Sequence, residues 1–178
     1  MREGGPMNIV IRHVEPGDYE DARRIFAGPN VIRGTMQLPF PSAELWRKRL
    51  AESPEGLYTL VACVDDEVVG QLGLHTYPSR PRRRHAAGIG MAVRDDWQGK
   101  GIGTALMEAA LDLADNWLNV TRLELSVFAD NEPAMRLYEK FGFVVEGTLE
   151  QYVLRDGEYR DCLAMARIRK GLCGLRHE

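Results

Sequence analysis

At 178 residues with a formal net charge of −3, the chain suits one domain around one sizeable core and carries no charge excess that would draw nucleic acid or an anionic membrane. No apolar run approaches the roughly 18 residues of a membrane span, and the N-terminus lacks the apolar core of a signal peptide. Cys63, Cys162 and Cys173 are few, scattered and odd in number, which argues against a disulfide framework and for a reduced, cytoplasmic protein.

In chain order, Met1–Pro6 reads as a flexible extension, residues 7–170 as the single folded domain and 171–178 as a tail. Asn8–Val14 alternates as a strand, and Pro16–Gly28 places Tyr19, Ala22, Ile25 and Phe26 at helical spacing, stopped by Gly28-Pro29. Val31–Pro41 reads as irregular. Ser42 can cap a helix carrying Leu45, Trp46, Arg49 and Leu50. Tyr58–Val64 and Glu67–Tyr77 form a hairpin across Asp65-Asp66. Pro78–Arg84 is a basic loop, and Ala86–Val93 is a further strand whose Gly88 and Gly90 suggest a bulge or a close backbone approach.

A helix is expected from about Gly101 to Trp117, with Ile102, Leu106, Ala109, Leu113 and Trp117 as its buried stripe. Val120–Phe128 follows as a strand. Asn131 caps a short helix through Phe141, stopped by Gly142, and Phe143–Thr148 and Tyr159–Ile168 are closing strands. Antiparallel hairpins with helices inserted late give an α+β fold: a mixed, mostly antiparallel sheet of six or seven strands with about four helices.

Two constellations carry chemistry. The first is Gln98-Gly99-Lys100-Gly101-Ile102-Gly103-Thr104, between a strand and a helix. Backbone N–H groups at a helix start have no intrahelical partner and attract phosphate, helped by the helix dipole. The glycines remove side chains that would keep a diphosphate away, Lys100 adds charge, and Gln98 can bond an oxygen. A P-loop would need Ser or Thr after Gly99-Lys100, where Gly101 stands. A dinucleotide fingerprint would need Gly or Ala where Thr104 or Leu106 stands, although Glu124 could imitate its ribose-binding acid. The second constellation is Asn131, Ala134 and Tyr138, which share one helix face at i, i+3 and i+7; Tyr138 there could equally be core.

Together, Gln98-x-x-Gly101-x-Gly103 and Asn131-x-x-Ala134-x-x-x-Tyr138-x-x-x-Gly142-Phe143 resemble the GNAT superfamily of acyl-CoA N-acyltransferases, over about Ile9 to Arg167. The stretches Leu38-Pro39-x-Pro41-Ser42, Asp115-Asn116-Trp117-Leu118 and Leu154-Arg155-x-Gly157-Glu158-Tyr159 make the chain similar to its bacterial L-amino-acid N-acetyltransferase branch. The resemblance implies a sheet splayed at its centre, between Ala86–Val93 and Val120–Phe128. It implies acetyl-CoA as co-substrate, no metal, and transfer of acetyl to a primary amine by direct attack, on this branch the α-amine of a free amino acid. Protein N-terminal, lysine and polyamine acceptors remain open, as do a non-catalytic acetyl-CoA sensor and a Rossmann-like oxidoreductase. By resemblance, Met91, Ala92 and Val93 pair with the pantetheine arm, Gln98 to Thr104 hold the pyrophosphate, Asn131 bonds the arm, and Tyr138 lies by the sulfur as proton donor.

For the base, Ser126 stands where some relatives carry a glutamate, twelve residues before Tyr138, and Glu124 lies on the same strand face and could act through a water. His75 and His85 are alternatives, as is loss of the amine's proton to solvent. The acceptor side falls to Gln37, Arg84, His85, Ser126 and Tyr152, with the arginine-rich run Arg80–His85 offering a grip on a carboxylate. A homodimer is plausible from the resemblance and the prevalence of twofold dimers.

Overall fold

The computed structural model describes residues 7–169; the expected extension Met1–Pro6, the tail 171–178 and Cys173 lie outside the described residues. Strands β1 (Val10–His13), β2 (Leu57–Val64) and β3 (Glu67–Thr76) pair antiparallel in that order. Asp65 and Asp66 alone close the β2–β3 hairpin, at φ of 49° and 65°. A two-residue turn with both φ positive matches the twist of its strands, and Asp tolerates that conformation.

Strands β4 (Ala86–Val93) and β5 (Arg122–Phe128) run parallel, in register at Ala86–Arg122, Ala87–Leu123 and Gly88–Glu124. β7 (Glu158–Ile168) pairs antiparallel with both β5 and β6 (Val144–Arg155). Among the described residues the sheet has seven strands, in the order β1-β2-β3-β4-β5-β7-β6. Of the described pairings only β4 with β5 is parallel, which removes the doubly wound oxidoreductase alternative. β6 continues past its expected end at Thr148. Register shifts between Leu149 and Val153, and Gln151 takes φ 50° with its N–H on Asp161 Oδ1 at 2.8 Å. Such a bulge breaks the alternation by which a strand is read.

Among the described residues there are five α-helices, one more than expected: α1 (Tyr19–Ile25), α2 (Pro29–Gly34), α3 (Ala43–Ala51), α4 (Ile102–Asp112) and α5 (Glu132–Lys140). The addition is α2, which begins at the Pro29 read as a stop and runs into the stretch read as irregular. Pro29 supplies a preset φ at its first turn, but its N–H groups are capped from far along the chain. Asp95 Oδ2 accepts from Asn30 N at 2.9 Å, and Asp95 Oδ1 from Val31 N at 3.1 Å. Ser42 caps α3 as expected, accepting from Leu45 N at 3.3 Å.

Helix α4 departs from its expected stripe. Ile102, Leu106, Met107, Ala110 and Ala114 are the buried positions, and Trp117 is 75% exposed. After Asp112 the chain widens into a single π turn, Leu113–Trp117, which advances the register and swings Trp117 outward. Its indole N–H donates to Asp112 Oδ2 at 3.3 Å.

Two compact units divide the described residues: 7–75 with 89–110, and 76–88 with 111–169. In the first, Ala22, Ile25, Val31, Leu50 and Val61 pack around Phe26 stacked on Trp46, with ring centroids 4.6 Å apart. Gly70 on β3 lets α4 close down, because a Cβ there would come within 2.8 Å of Ile102 Cγ2. In the second unit, alternate β5 residues Leu123, Leu125 and Val127 are buried, as are Tyr138, Phe143, Cys162 and Met165. The other β5 face carries Arg122, Glu124 and Ser126, none of them buried.

Candidate active site

In the first unit, β4 ends at Val93 and the chain turns through Asp95–Trp97 into the glycine-rich segment. Gly99 and Gly101 take φ of 74° and 85°, a region costly for any residue with a Cβ. A Cβ at either would meet no atom within 4 Å, so the backbone conformation, not crowding, requires glycine there. The same open space leaves the backbone approachable. The first bond of α4 runs from Ala105 N to Gly101 O at 3.0 Å, so the N–H groups of Ile102, Gly103 and Thr104 precede the helical ladder.

The polar side chains of this turn are already engaged. Gln98 Nε2 donates to Val93 O at 3.0 Å and to Asp95 Oδ1 at 3.3 Å. Lys100 Nζ sits 4.8 Å above the Trp97 ring, which fixes its charge beside the turn. On β4, Met91 and Val93 are half-buried and Ala92 is buried among the apolar residues of the first unit.

In the second unit, Asn131 acts as N-cap of α5: its Oδ1 accepts from Ala134 N at 3.3 Å, which leaves its amide N–H₂ for another partner. Gly142, at φ 85°, ends this helix. Tyr138 is buried, its ring tilted on Phe143 at 5.8 Å, and burial pushes its phenol up to about 12. The group therefore holds its proton throughout the neutral range.

Glu124 is the centre of a network built from distant segments. Its Oε1 accepts from Tyr77 Oη at 3.0 Å and pairs with Arg83, and its Oε2 accepts from Arg122 Nε at 3.1 Å. Arg122 in turn grips Glu146 with both terminal nitrogens, at 2.9 and 2.5 Å. Desolvation favours the protonated acid, but the bonds from Tyr77, Arg83 and Arg122 outweigh it and hold the Glu124 carboxyl below the usual carboxylate range. Burial and the bond to Glu124 push the Tyr77 phenol upward. Gly88 makes the close approach read from the sequence: a Cβ there would touch Tyr77 Oη at 3.4 Å.

The remaining expected residues are dispersed. Arg84, His85, Ser126 and Tyr152 are exposed, and it is Arg83 that turns inward from the basic run. Gln37 faces α3, its Oε1 accepting from Arg49 at 3.2 Å. Burial lowers the proton affinity of His75. Sequence reading missed Tyr77, Arg122 and Glu146 as members of one cluster. Tyr77 and Glu146 lie 47 and 22 positions from Glu124 on other segments, and Arg122, two residues away on β5, is tied to them only through the fold.

Residues 21–143 match the acetyltransferase (GNAT) family model. The chain is 48% identical over 161 residues to the L-amino acid N-acetyltransferase AaaT of Escherichia coli (strain K12), covering 90% of this chain and 98% of that protein. It is 28% identical to the spermidine N(1)-acetyltransferase of the same strain, over 89% of this chain and 84% of that protein. Among solved structures, it resembles the spermidine N-acetyltransferase of Vibrio cholerae in complex with CoA and spermine. That match has TM-score 0.77 and 25% identity, covering 90% of this chain and 95% of that one. The ribosomal-protein-alanine N-acetyltransferase of Brucella melitensis shares the fold at TM-score 0.78 and 24% identity, over 90% and 99% of the two chains. With this match across most of its length, the chain belongs to the acetyltransferase (GNAT) family and is an N-acetyltransferase that acts on an amine.

Proposed function

We propose that the chain moves the acetyl group of acetyl-CoA onto the α-amine of a free amino acid in the cytoplasm, by direct attack of the neutral amine. The observation that carries the cofactor half is the turn Gly99–Gly101. Its left-handed glycines open three unladdered N–H groups at the start of an eleven-residue helix, a fit for a diphosphate. The acceptor half is supported by the 48% identity to an L-amino acid N-acetyltransferase. Bound acetyl-CoA would supply an activated thioester.

The residues divide the work as follows. Gln98, Gly99, Lys100, Gly101, Ile102, Gly103 and Thr104 hold the pyrophosphate, chiefly by backbone N–H groups. Met91, Ala92 and Val93 offer main-chain bonds to the pantetheine arm, and the Asn131 amide bonds it as well. Tyr138 faces the departing sulfur. A thiol titrates at roughly 8.5, well below the phenol, so complete proton transfer to the sulfur is uphill. Tyr138 therefore stabilises the developing negative charge as a hydrogen-bond donor, in the manner of an oxyanion-type site. Glu124, with three donors on its carboxylate, is a weak base. The amine's proton is better given to solvent before attack, and Glu124 is better suited to holding its neighbours in place. Arg84, His85, Ser126 and Tyr152 retain the exposure that contact with an acceptor needs.

The test is release of CoA thiol from acetyl-CoA with a panel of L-amino acids, tripeptides and spermidine. Free amino acids should give the highest kcat/KM. Preference for spermidine or for tripeptides would replace this acceptor class.

A further inference from the structure

We propose that Arg83 anchors the carboxylate of the acceptor, with Glu124 and Tyr77 as positioning residues that hold its guanidinium in place. This rests on the amino-acid reading above and names the residue that would recognise it.

The loop before β4 carries Arg80, Arg82, Arg83 and Arg84. Arg82 and Arg84 are exposed, and Arg80 stacks loosely on Tyr77 at 5.8 Å. Arg83 is fixed twice over. Its guanidinium lies 4.5 Å over the Tyr77 ring, and one terminal nitrogen is bound to Glu124 Oε1. The Tyr77 hydroxyl donates to that same oxygen at 3.0 Å, so ring, hydroxyl, carboxylate and guanidinium form one rigid set.

A guanidinium has five N–H donors in a planar fork, and Glu124 engages one edge of it. The Arg83 side chain keeps 41% exposure, which presents the rest of the fork to an incoming group. A fork already ordered on an aromatic ring loses little entropy when it takes a carboxylate in a two-pronged grip.

The surroundings suit an anion of small size. The network and its loop carry five arginines, Arg80, Arg82, Arg83, Arg84 and Arg122, against the two carboxylates Glu124 and Glu146, which makes this set positive. Beside Glu124 on the same sheet face stand Gly88 on β4, Ser126 on β5 and, opposite Ser126, Ala164 on β7. These are small residues: Gly88 admits the Tyr77 hydroxyl that binds Glu124, and Ser126 is exposed.

The experiment compares an L-amino acid with its primary amide in the full-length enzyme, by CoA-thiol release. The readout is the ratio of kcat/KM for acid to kcat/KM for amide, since a ratio within each variant cancels general damage. The wild-type ratio should exceed one. Arg83→Ala should lower it roughly tenfold or more, the loss expected for a charge-assisted pair, with KM for acetyl-CoA unchanged. Arg83→Lys keeps the charge without the fork and should fall between, and added guanidinium should restore part of the Arg83→Ala ratio. Tyr77→Phe removes one hydroxyl and should lower the ratio by about threefold. Arg82→Ala, at an exposed position of the same loop, should leave it unchanged. A wild-type ratio of one with normal turnover overturns the anchor while leaving the acetyltransferase reading intact. An equal loss for acid and amide in both Arg83 variants makes Arg83 a brace and also overturns it. If neither acid nor amide supports thiol release while spermidine does, the amino-acid reading itself fails, and the anchor with it.

Discussion

The turn Val93–Thr104 and the network around Glu124 are built on opposite principles. The turn is chiefly main chain: two glycines in left-handed conformation and a helix start, with Gln98 folded back onto Val93 and Asp95 within five positions. The network is side chain: Tyr77, Arg83 and Arg122 converge on the Glu124 carboxylate from up to 47 positions away, and Arg122 also holds Glu146. A backbone device depends on residue type at fixed spacing and is legible in a sequence. A side-chain device depends on the tertiary fold, and its members look like ordinary surface charges until strands are paired. The contrast also predicts different fragilities, since one site fails through conformation and access and the other through loss of individual charges.

The sharpest break should come from Tyr138, whose buried phenol belongs to neither device. Tyr138→Phe keeps the tilted packing on Phe143 and deletes one O–H; kcat should fall roughly 10²-fold, with KM for acetyl-CoA little changed, because a preorganised donor acts mainly in the transition state. Unchanged kcat would make Tyr138 a packing residue. The same substitution has a pH signature. The phenol titrates near 12 in the folded chain and near 10 unfolded, so the folded state binds more protons in between. Stability from this group is complete below pH 10 and is lost as pH rises toward 12, by about 3 kcal/mol. Denaturant midpoints of wild type should therefore fall more steeply over that window than those of Tyr138→Phe.

Next in size is a test of access. Gly101 is a poor probe, because valine at φ 85° strains the backbone whatever it blocks. Gly103 lies inside α4, where valine carries no such strain. Gly103→Val should raise the Kd for acetyl-CoA about tenfold or more, read by calorimetry, while the thermal midpoint stays close to wild type. Unaltered affinity would remove this turn from the cofactor site. The smallest effect should come from Asp95→Ala, which uncaps α2 and removes one of the two acceptors of Gln98. Loss of an N-cap costs about 1–2 kcal/mol, measurable by urea denaturation, and no change in midpoint would mean water replaces the cap at no cost.

How far the chain could be read follows the same division. β4, the β2–β3 hairpin, the Ser42 cap and the Asn131-capped α5 were legible because each rests on local chemistry: a period of two, a two-aspartate turn, a capping side chain. Helix α2 was not, because its cap comes from Asp95. Nor was the exposure of Trp117, because a π turn shifts phase without any proline or glycine to mark it. The extra length of β6 was hidden by the bulge at Gln151. In the proposed site, the glycine motif and Tyr138 could be located by spacing, whereas proposing Arg83 over Arg84 required knowing which one meets Glu124.

Asp95 carries a consequence for anyone wishing to transplant the glycine-rich turn into another scaffold. One carboxylate binds two amides of α2 and the side chain of Gln98, and Gly28 makes room for it, since a Cβ there would lie 2.7 Å from Asp95 Oδ1. At φ −67° any residue could adopt the backbone of Gly28, so its glycine answers to the Asp95 carboxylate, the nearest group a Cβ there would meet. The portable module is therefore discontinuous: Gly28–Val31 must travel with Val93–Thr104, and a graft of the contiguous motif alone would arrive without the carboxylate's partners.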